Sequence, residues 1–288
     1  MKKLKINYKM LSPISHIGEV ASTGSYFQTI KTDSGRLPVI TANSVRGVLR
    51  DKGAEFLLHS LGCQVDKEIF HVLFSGGNLN SSVKMDVGRA KEVRQHFPFI
   101  SLFGGGLGDM IMSGKMAVGN LYPICMESEK ITGIQSKTSW KNLIEEIEFT
   151  RKDDGKEDAL ANRFMTNPDV ETKAAASTQM RYSVQYMAVG TEFIQEILLN
   201  DNVSPLEEAA LYSAFVEWFK LPIIGGMANK GFGKFIAKTD FGINFIDFKL
   251  CIDNSVTDLI SEYNEFLKDE GTEFLYLLKS GGGKNGKK

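Results

Sequence analysis

Residues 225–235 read GGMANKGFGKF, and they connect a predicted helix to a predicted strand. Upstream, SPLEEAALYSAFVEWFK (204–220) begins with a serine cap, a proline at the first helical position and a glutamate at the capping-box position. Downstream, FGKFIAKTDFGINF (232–245) alternates apolar and polar residues, as a half-buried strand does. The fold therefore turns from a helix back into a sheet at a stretch that is unusually rich in glycine and lysine.

Two interpretations of this glycine loop remain open from the residues alone. Glycines supply the positive φ angles that a tight helix-to-strand turn needs, with the lysines merely solvated. Alternatively, glycine amides and Lys230 and Lys234 together bind a polyanion such as a phosphate backbone. A nucleotide-binding P-loop is excluded, because Phe232 stands where that motif requires lysine and because the order is helix then strand.

The rest of the chain predicts a single α+β domain over residues 1–288. A strand is predicted at 3–11, a helix from about 44 to 61 that Asn43 or Ser44 caps, a long strand at 181–199, and a C-terminal helix. Residues 97–125 have a strand-like end, and a helix and a strand flank the glycine loop, so the core order is strand, helix, strand, insertion, strand, helix, strand. This order is that of a ferredoxin-like (RRM-like) fold with large insertions. We expect a glycine-rich and polar inserted region at about 97–183, and a flexible basic tail at 281–288.

Composition is that of an ordinary globular protein, with 42% hydrophobic residues and a formal net charge of −1. Three separated cysteines favour a reducing compartment, and no apolar run is long enough to cross a membrane. We therefore expect a cytoplasmic protein. The segments SVRGVLR and NKGFGKFIAK contain lysine or arginine and no acidic residue. They permit a basic face on a neutral chain, although solvated runs of charge are equally common.

Catalytic and metal-binding patterns are sparse. The four histidines are scattered, and no serine or cysteine lies in an activating motif. His59 and Cys63 are four residues apart in the predicted helix and could share a metal, but no second pair of ligands accompanies them. We expect no cofactor and no metal site.

A second stretch, GRLPVITANSVRGVLR (35–50), resembles the N-terminal signature of the CRISPR RAMP superfamily, which leads from a strand into the first helix. The positions in register are Gly35, Pro38, Ile40, Ser44, Arg46, Gly47 and Arg50, whereas Thr41 and Asn43 depart from the pattern. The glycine loop resembles the C-terminal glycine-rich motif of the same superfamily. Together the two motifs resemble those of the backbone subunit of a CRISPR effector. The resemblance is closest to type IV, followed by types III and I-D.

This resemblance implies a subunit that polymerises along guide RNA (crRNA) by sequence-independent contacts and presents it to a complementary target nucleic acid. Its partners would be copies of itself and other effector subunits. The residues implied to contact RNA are Asn43, Ser44, Arg46, Arg50, Gly225, Gly226, Met227, Asn229, Lys230, Gly231 and Lys234.

The resemblance also bears on catalysis. Type III relatives cut target RNA with an aspartate whose position falls here near Ser25–Phe27, where no acid stands; Glu19 lies too early, and Asp33 matches a separate, non-catalytic acid. We therefore expect a non-catalytic protein. The alternative is a RAMP ribonuclease that cuts target RNA or processes guide RNA, using His16 or Asp33; a nucleotide-binding enzyme using 104–109 is a more distant option.

The resemblance also implies that the insertion around 160–183 is the protruding thumb hairpin of such subunits, which wedges into the guide. Met165 and Met180 would supply the apolar wedge, with Arg163 and Arg181 beside them for phosphates. Alternatively, both methionines anchor the insertion to the domain core.

Overall fold

The computed structural model describes residues 1–21, 24–77, 79, 86–151, 180–271 and 275–279. These residues form a mixed α+β fold, in agreement with the predicted class. The strands among them are β1 (Lys2–Met10), β2 (Ile17–Ala21), β3 (Gly24–Phe27), β4 (Thr29–Thr32), β5 (Gly35–Pro38), β6 (Gly105–Leu107), β7 (Met110–Met112), β8 (Met116–Val118), β9 (Tyr122–Pro123), β10 (Ile144–Arg151), β11 (Met180–Met187), β12 (Glu192–Leu199), β13 (Phe235–Thr239), β14 (Ile243–Ile246) and β15 (Lys249–Ile252). The α-helices are α1 (Ala42–Leu61), α2 (Lys67–Phe70), α3 (Val87–His96), α4 (Pro98–Phe103), α5 (Glu129–Thr132), α6 (Pro205–Lys220) and α7 (Asn254–Phe266).

The main sheet has seven strands and is built around β1. Its order is β15-β14-β13-β1-β12-β8, and β9 also pairs with β12. Every pair in it is antiparallel. Strand β1 alternates strictly, with apolar residues buried on one face and polar residues exposed on the other, which is the period-2 pattern of a sheet covered on one side.

Helices α1 and α6 pack against each other and cover the buried face of this sheet. Trp218 of α6 contacts the rings of Tyr8 on β1 and Phe235 on β13, with ring centroids 6.1 and 5.4 Å away. The Trp218 indole donates a hydrogen bond to the Ile223 carbonyl at 2.9 Å, just before the glycine loop. The core therefore fixes where that loop leaves the sheet.

A second sheet, of order β10-β11-β3-β2, stands beside the main one. Strands β10 and β11 run antiparallel from Ile144 paired with Met187 to Arg151 paired with Met180. The hairpin β4–β5 and the pair β6–β7 are separate two-stranded units. The small sheet is thus a hydrogen-bonded unit separate from the main sheet.

Several element predictions are confirmed and two need correction. The first strand and the capped helix at 205–220 are present as expected. The predicted long strand at 181–199 is instead two strands in different sheets, because Gly190 at φ 86° turns the chain between them. Part of the expected insertion belongs to the core, since α4 is buried and β8 joins the main sheet.

Within the described residues, no helix has both the length and the apolar character needed to cross a membrane.

Candidate nucleic-acid interface

The glycine loop is held against the chain segment Pro13–His16, which we call the bridging segment. The Gly226 amide donates to the Ser15 carbonyl, and the Gly233 amide donates to the Pro13 carbonyl, each at 2.7 Å. Gly225 and Gly233 both have φ of 86°, and a Cβ atom on them would lie 2.6 Å from the Ser15 oxygen and 2.0 Å from the Ile224 oxygen. These glycines therefore serve the turn and the close backbone approach.

The tip of the loop is exposed. Ala228–Lys230 forms a short 3-10 turn, and Asn229, Lys230 and Gly231 are exposed. Met227, which precedes this turn, has φ of 62°, an uncommon conformation for a residue with a side chain. The polar tip is thus displayed by a strained turn and is not packed into the core.

Aromatic residues of the small sheet position Lys230. Its ammonium lies 4.2 Å from the ring centroid of Phe149 and 4.8 Å from that of Tyr182, and it donates a hydrogen bond to the Tyr182 hydroxyl. Lys234 lies 5.2 Å from the ring of Phe248. Such contacts orient a lysine while leaving its charge exposed. Sequence reasoning missed Phe149 and Tyr182: Tyr182 lies in a predicted strand, whereas Phe149 lies in the predicted insertion, where no strand was expected.

The bridging segment also holds the start of α1. The Thr41 amide donates to His16 Nε2 at 3.2 Å, and the Ala42 amide donates to Asn120 Oδ1 at 2.7 Å. The prediction that Asn43 or Ser44 caps this helix is wrong: Thr41 is the cap residue, its side chain makes no capping bond, and other segments accept the free amides. Asn43 is exposed and Ser44 half-buried inside the first turn.

Ser15 and His16 are adjacent, so the two motifs meet at neighbouring residues. The Ser15 carbonyl accepts a hydrogen bond from the glycine loop, and His16 accepts one from Thr41, the cap residue before α1. The predicted motifs, at 35–50 and 225–235, are far apart in sequence but are joined through this one segment. A polyanion that follows the surface there could contact both.

The two predicted phosphate-binding arginines of α1 have different environments. Arg50 is buried, and its guanidinium donates to the carbonyls of Val72 and Leu73 at 3.1 Å and of Gly104 at 2.5 Å. Both terminal nitrogens of Arg50 are thus engaged inside the protein, which leaves it little donor capacity for the predicted phosphate contact. Arg46 is half-buried and makes one bond, to the Phe103 carbonyl.

The pKa of the Arg50 guanidinium is lowered to about 10, mainly by burial and secondarily by the nearby charge of Arg46. It therefore still carries its charge at neutral pH. Arg46 and Arg50 line a cleft of about 380 Å³, together with residues 104–106 at the start of β6 and 111–114 at the end of β7. Arg46 is the member of the pair with donor capacity left for an external anion.

The predicted thumb falls largely outside the described residues. Arg163 and Met165 are outside the described residues. Met180 is the first residue of β11, and only its backbone is described. Arg181 follows it, exposed and paired in register with Thr150 of β10. The described residues on either side of the predicted thumb are therefore the antiparallel strands β10 and β11 of the small sheet.

The candidate catalytic residues are engaged in other contacts. Asp33 pairs with Lys130 at 2.8 Å, and that bond lowers the pKa of its carboxyl. Burial lowers the pKa of His16, whose Nε2 atom accepts the Thr41 amide. Helix α1 ends at Leu61 with Gly62 in the left-handed conformation, so Cys63 does not lie on one helix with His59, contrary to the prediction. The described residues contain no group of three or more potential metal ligands.

Comparison with known proteins identifies the family. Among solved structures, a chain of a type IV-B CRISPR complex has a similar fold, with a TM-score of 0.60 and 17% sequence identity over 83% of this chain and 90% of that one. No curated protein sequence matches significantly. The sequence profile of the RAMP superfamily matches residues 7–236. Since this match covers most of the chain, including both motifs and the strands that carry them, the chain belongs to the RAMP superfamily.

Proposed function

We propose that this chain is a backbone subunit of a CRISPR effector complex that binds guide RNA through sequence-independent contacts. The observation that carries the proposal is the meeting of the two motifs at Ser15 and His16. Through these two residues the glycine loop and the start of α1 are held to one short stretch of chain. The similarity to a chain of a type IV-B CRISPR complex supports a place in such an assembly.

The chemistry of this surface suits a ligand whose sequence varies. Asn229, Lys230 and Lys234 are exposed and offer hydrogen-bond donors and positive charge. These groups contact phosphates and sugars and do not distinguish base edges. A guide RNA differs from one complex to the next, so its scaffold needs contacts of this kind.

The proposed core is the ferredoxin-like arrangement of the superfamily. Along the chain, β1, α1, β8, β12, α6 and β13 follow one another, and their strands lie in the order β13-β1-β12-β8 with antiparallel pairing. That order is the one a split βαβ pair produces. In this arrangement the glycine loop connects the second helix to the edge of the four-stranded core.

Binding through these contacts is tested by Arg46→Ala and Lys230→Ala. Each substitution should weaken guide binding to a similar degree for unrelated sequences and flatten the salt dependence of the binding constant by roughly 0.7 in slope, since each removes one single-strand phosphate contact. Fluorescence anisotropy at several salt concentrations measures both. Lys268→Ala, which removes an exposed lysine beyond α7, is the control. A change in sequence preference, or the same slope in all three variants, contradicts the proposal.

We further propose that the subunit does not cut nucleic acid. The segment Ser25–Phe27 lacks a carboxylate, Asp33 is occupied by Lys130, and His16 is tied to Thr41. The test is incubation of the guide-loaded protein with a complementary RNA and Mg²⁺, followed on a denaturing gel. Intact RNA is expected; cleavage that His16→Gln or Asp33→Asn abolishes would establish the ribonuclease alternative instead.

A further inference from the structure

The hairpin β4–β5 has one buried and one exposed face. Leu37 is fully buried with Cys125 beneath the hairpin, and Ile30 packs against the same cluster. Residues on the opposite face therefore point away from the core, and they include Lys31 and Arg36. The hairpin turn contacts α5, because Asp33 pairs with Lys130 of that helix at 2.8 Å.

Lys31 and Arg36 form a like-charge pair. They are directly opposite each other in the register of the hairpin, and both are exposed. Like charges at directly opposite positions destabilise a strand pair. No carboxylate of the described residues forms an ion pair with either side chain. The hairpin thus keeps two unneutralised cations side by side, as a site for an external anion would.

This pair lines a cleft beside the small sheet, with a volume of about 670 Å³. The other wall comes from β3 and β11 and presents Tyr26, which is 43% exposed, together with Gln185. The described lining residues include no carboxylate. The cleft adjoins the bridging segment, since the Gln28 amide donates to the His16 carbonyl at 2.7 Å.

From this geometry we infer that the cleft binds a single-stranded nucleic acid, at a place separate from the glycine loop. Lys31 and Arg36 hold one or two phosphates, and the ring of Tyr26 stacks on a base. The cleft has the size of an ordinary ligand site, and an exposed ring beside paired cations suits alternating bases and phosphates. The strand is either a further stretch of the guide or the strand that pairs with it. The inference rests on the proposed function, since it adds a second contact to the same nucleoprotein.

The decisive variant is Lys31→Ala/Arg36→Ala, compared with Lys91→Ala/Lys268→Ala, which removes two exposed lysines elsewhere. In guide-loaded protein, binding of a labelled complementary strand is measured by anisotropy over a series of salt concentrations; guide-free protein is titrated in parallel with a labelled oligouridine. We expect a roughly tenfold loss in at least one titration for the cleft variant, with a salt slope flatter by about 1.4, and no change for the control. Tyr26→Ala should weaken the same titration, while Tyr26→Phe retains it.

Photo-crosslinking identifies the bound strand. Thiouridine is placed in the guide in one sample and in the complementary RNA in another, and the peptide containing Tyr26 is analysed by mass spectrometry. A crosslink to either strand supports the inference and says which strand it is. If wild-type protein fails to bind guide, the proposed function fails. If guide binds but neither strand crosslinks, or if the cleft variant behaves like the control, the cleft inference alone is overturned.

Discussion

At the scale of single residues, Arg46 and Arg50 show how the same side chain, four positions apart on one helix, takes two roles. Arg50 donates to carbonyls of the segments at 72–73 and 103–104, whereas Arg46 makes one bond. Helical spacing predicts that both lie on one face, which is correct, but the segments that cover Arg50 come from 22 to 54 residues further along the chain. Local patterns carry no information about such covering contacts.

Arg50→Ala should destabilise the fold, because the carbonyl oxygens of Val72, Leu73 and Gly104 lose the hydrogen bonds that the guanidinium donates. We expect a loss of about 3 kcal/mol in the free energy of unfolding, measured by urea denaturation. Arg46→Ala, the matched variant on the same helix face, should cost about 1 kcal/mol because only one bond is lost. Equal losses in the two variants would contradict the structural role assigned to Arg50.

At the scale of elements, the sequence predicts best where the signal is local. Ser204 and Glu207 form the expected capping box, with the Glu207 carboxylate accepting the Ser204 amide at 2.8 Å, so the start of α6 could be read directly. Alternation at 181–199 also predicts strand correctly, but not that the chain changes sheets at Gly190, since pairing partners are set by distant β1 and β3. The meeting of both motifs at the bridging segment was likewise beyond local patterns.

We expect the stability of the protein to depend on pH through His16 of the bridging segment. Burial lowers the pKa of His16 below its ordinary value of 6.5, so the unfolded chain binds its proton more readily than the folded one. This contribution to stability is complete above pH 6.5 and is lost as the pH falls toward the folded pKa. Protonation also removes the acceptor for the Thr41 amide and puts a cation at the start of α1.

The measurement is the free energy of unfolding at pH 7.5 and pH 5.5. Wild-type protein should lose more stability over this range than His16→Gln, which keeps an acceptor side chain but cannot titrate. The same decline in both proteins would assign the pH dependence to other groups.

At the scale of the whole molecule, the nearly neutral net charge conceals its arrangement. Along the uncovered face of the main sheet, lysines of β1 pair with glutamates of β12, as in Lys3–Glu196 at 3.0 Å and Lys9–Glu192 at 3.3 Å. Lys31, Arg36 and Lys230, in contrast, have no ion pair with a described carboxylate. Cations without a described ion pair therefore include residues of the β4–β5 hairpin and the glycine loop, where RNA binding is proposed, although exposed lysines such as Lys91 and Lys268 lie elsewhere.

A chain that coats guide RNA should assemble in proportion to RNA length. We expect the particle mass, measured by light scattering after size exclusion, to rise stepwise as the RNA is lengthened, while RNA-free protein keeps a constant mass. RNA of one short, fixed length is the control and should give a single species. A particle that contains one protein copy on every length of RNA would contradict assembly as a filament.

The glycines of the loop have a consequence for how this protein diverges over generations. A side chain on Gly225 or Gly233 would clash with the protein's own backbone, so the fold requires glycine at these positions whether or not a ligand binds. A descendant that lost its ligand would still have to inherit them, while Asn229, Lys230 and Lys234 would be free to drift. Among related chains, the glycines therefore mark common ancestry, and the fate of the neighbouring polar residues records whether selection for the ligand has continued.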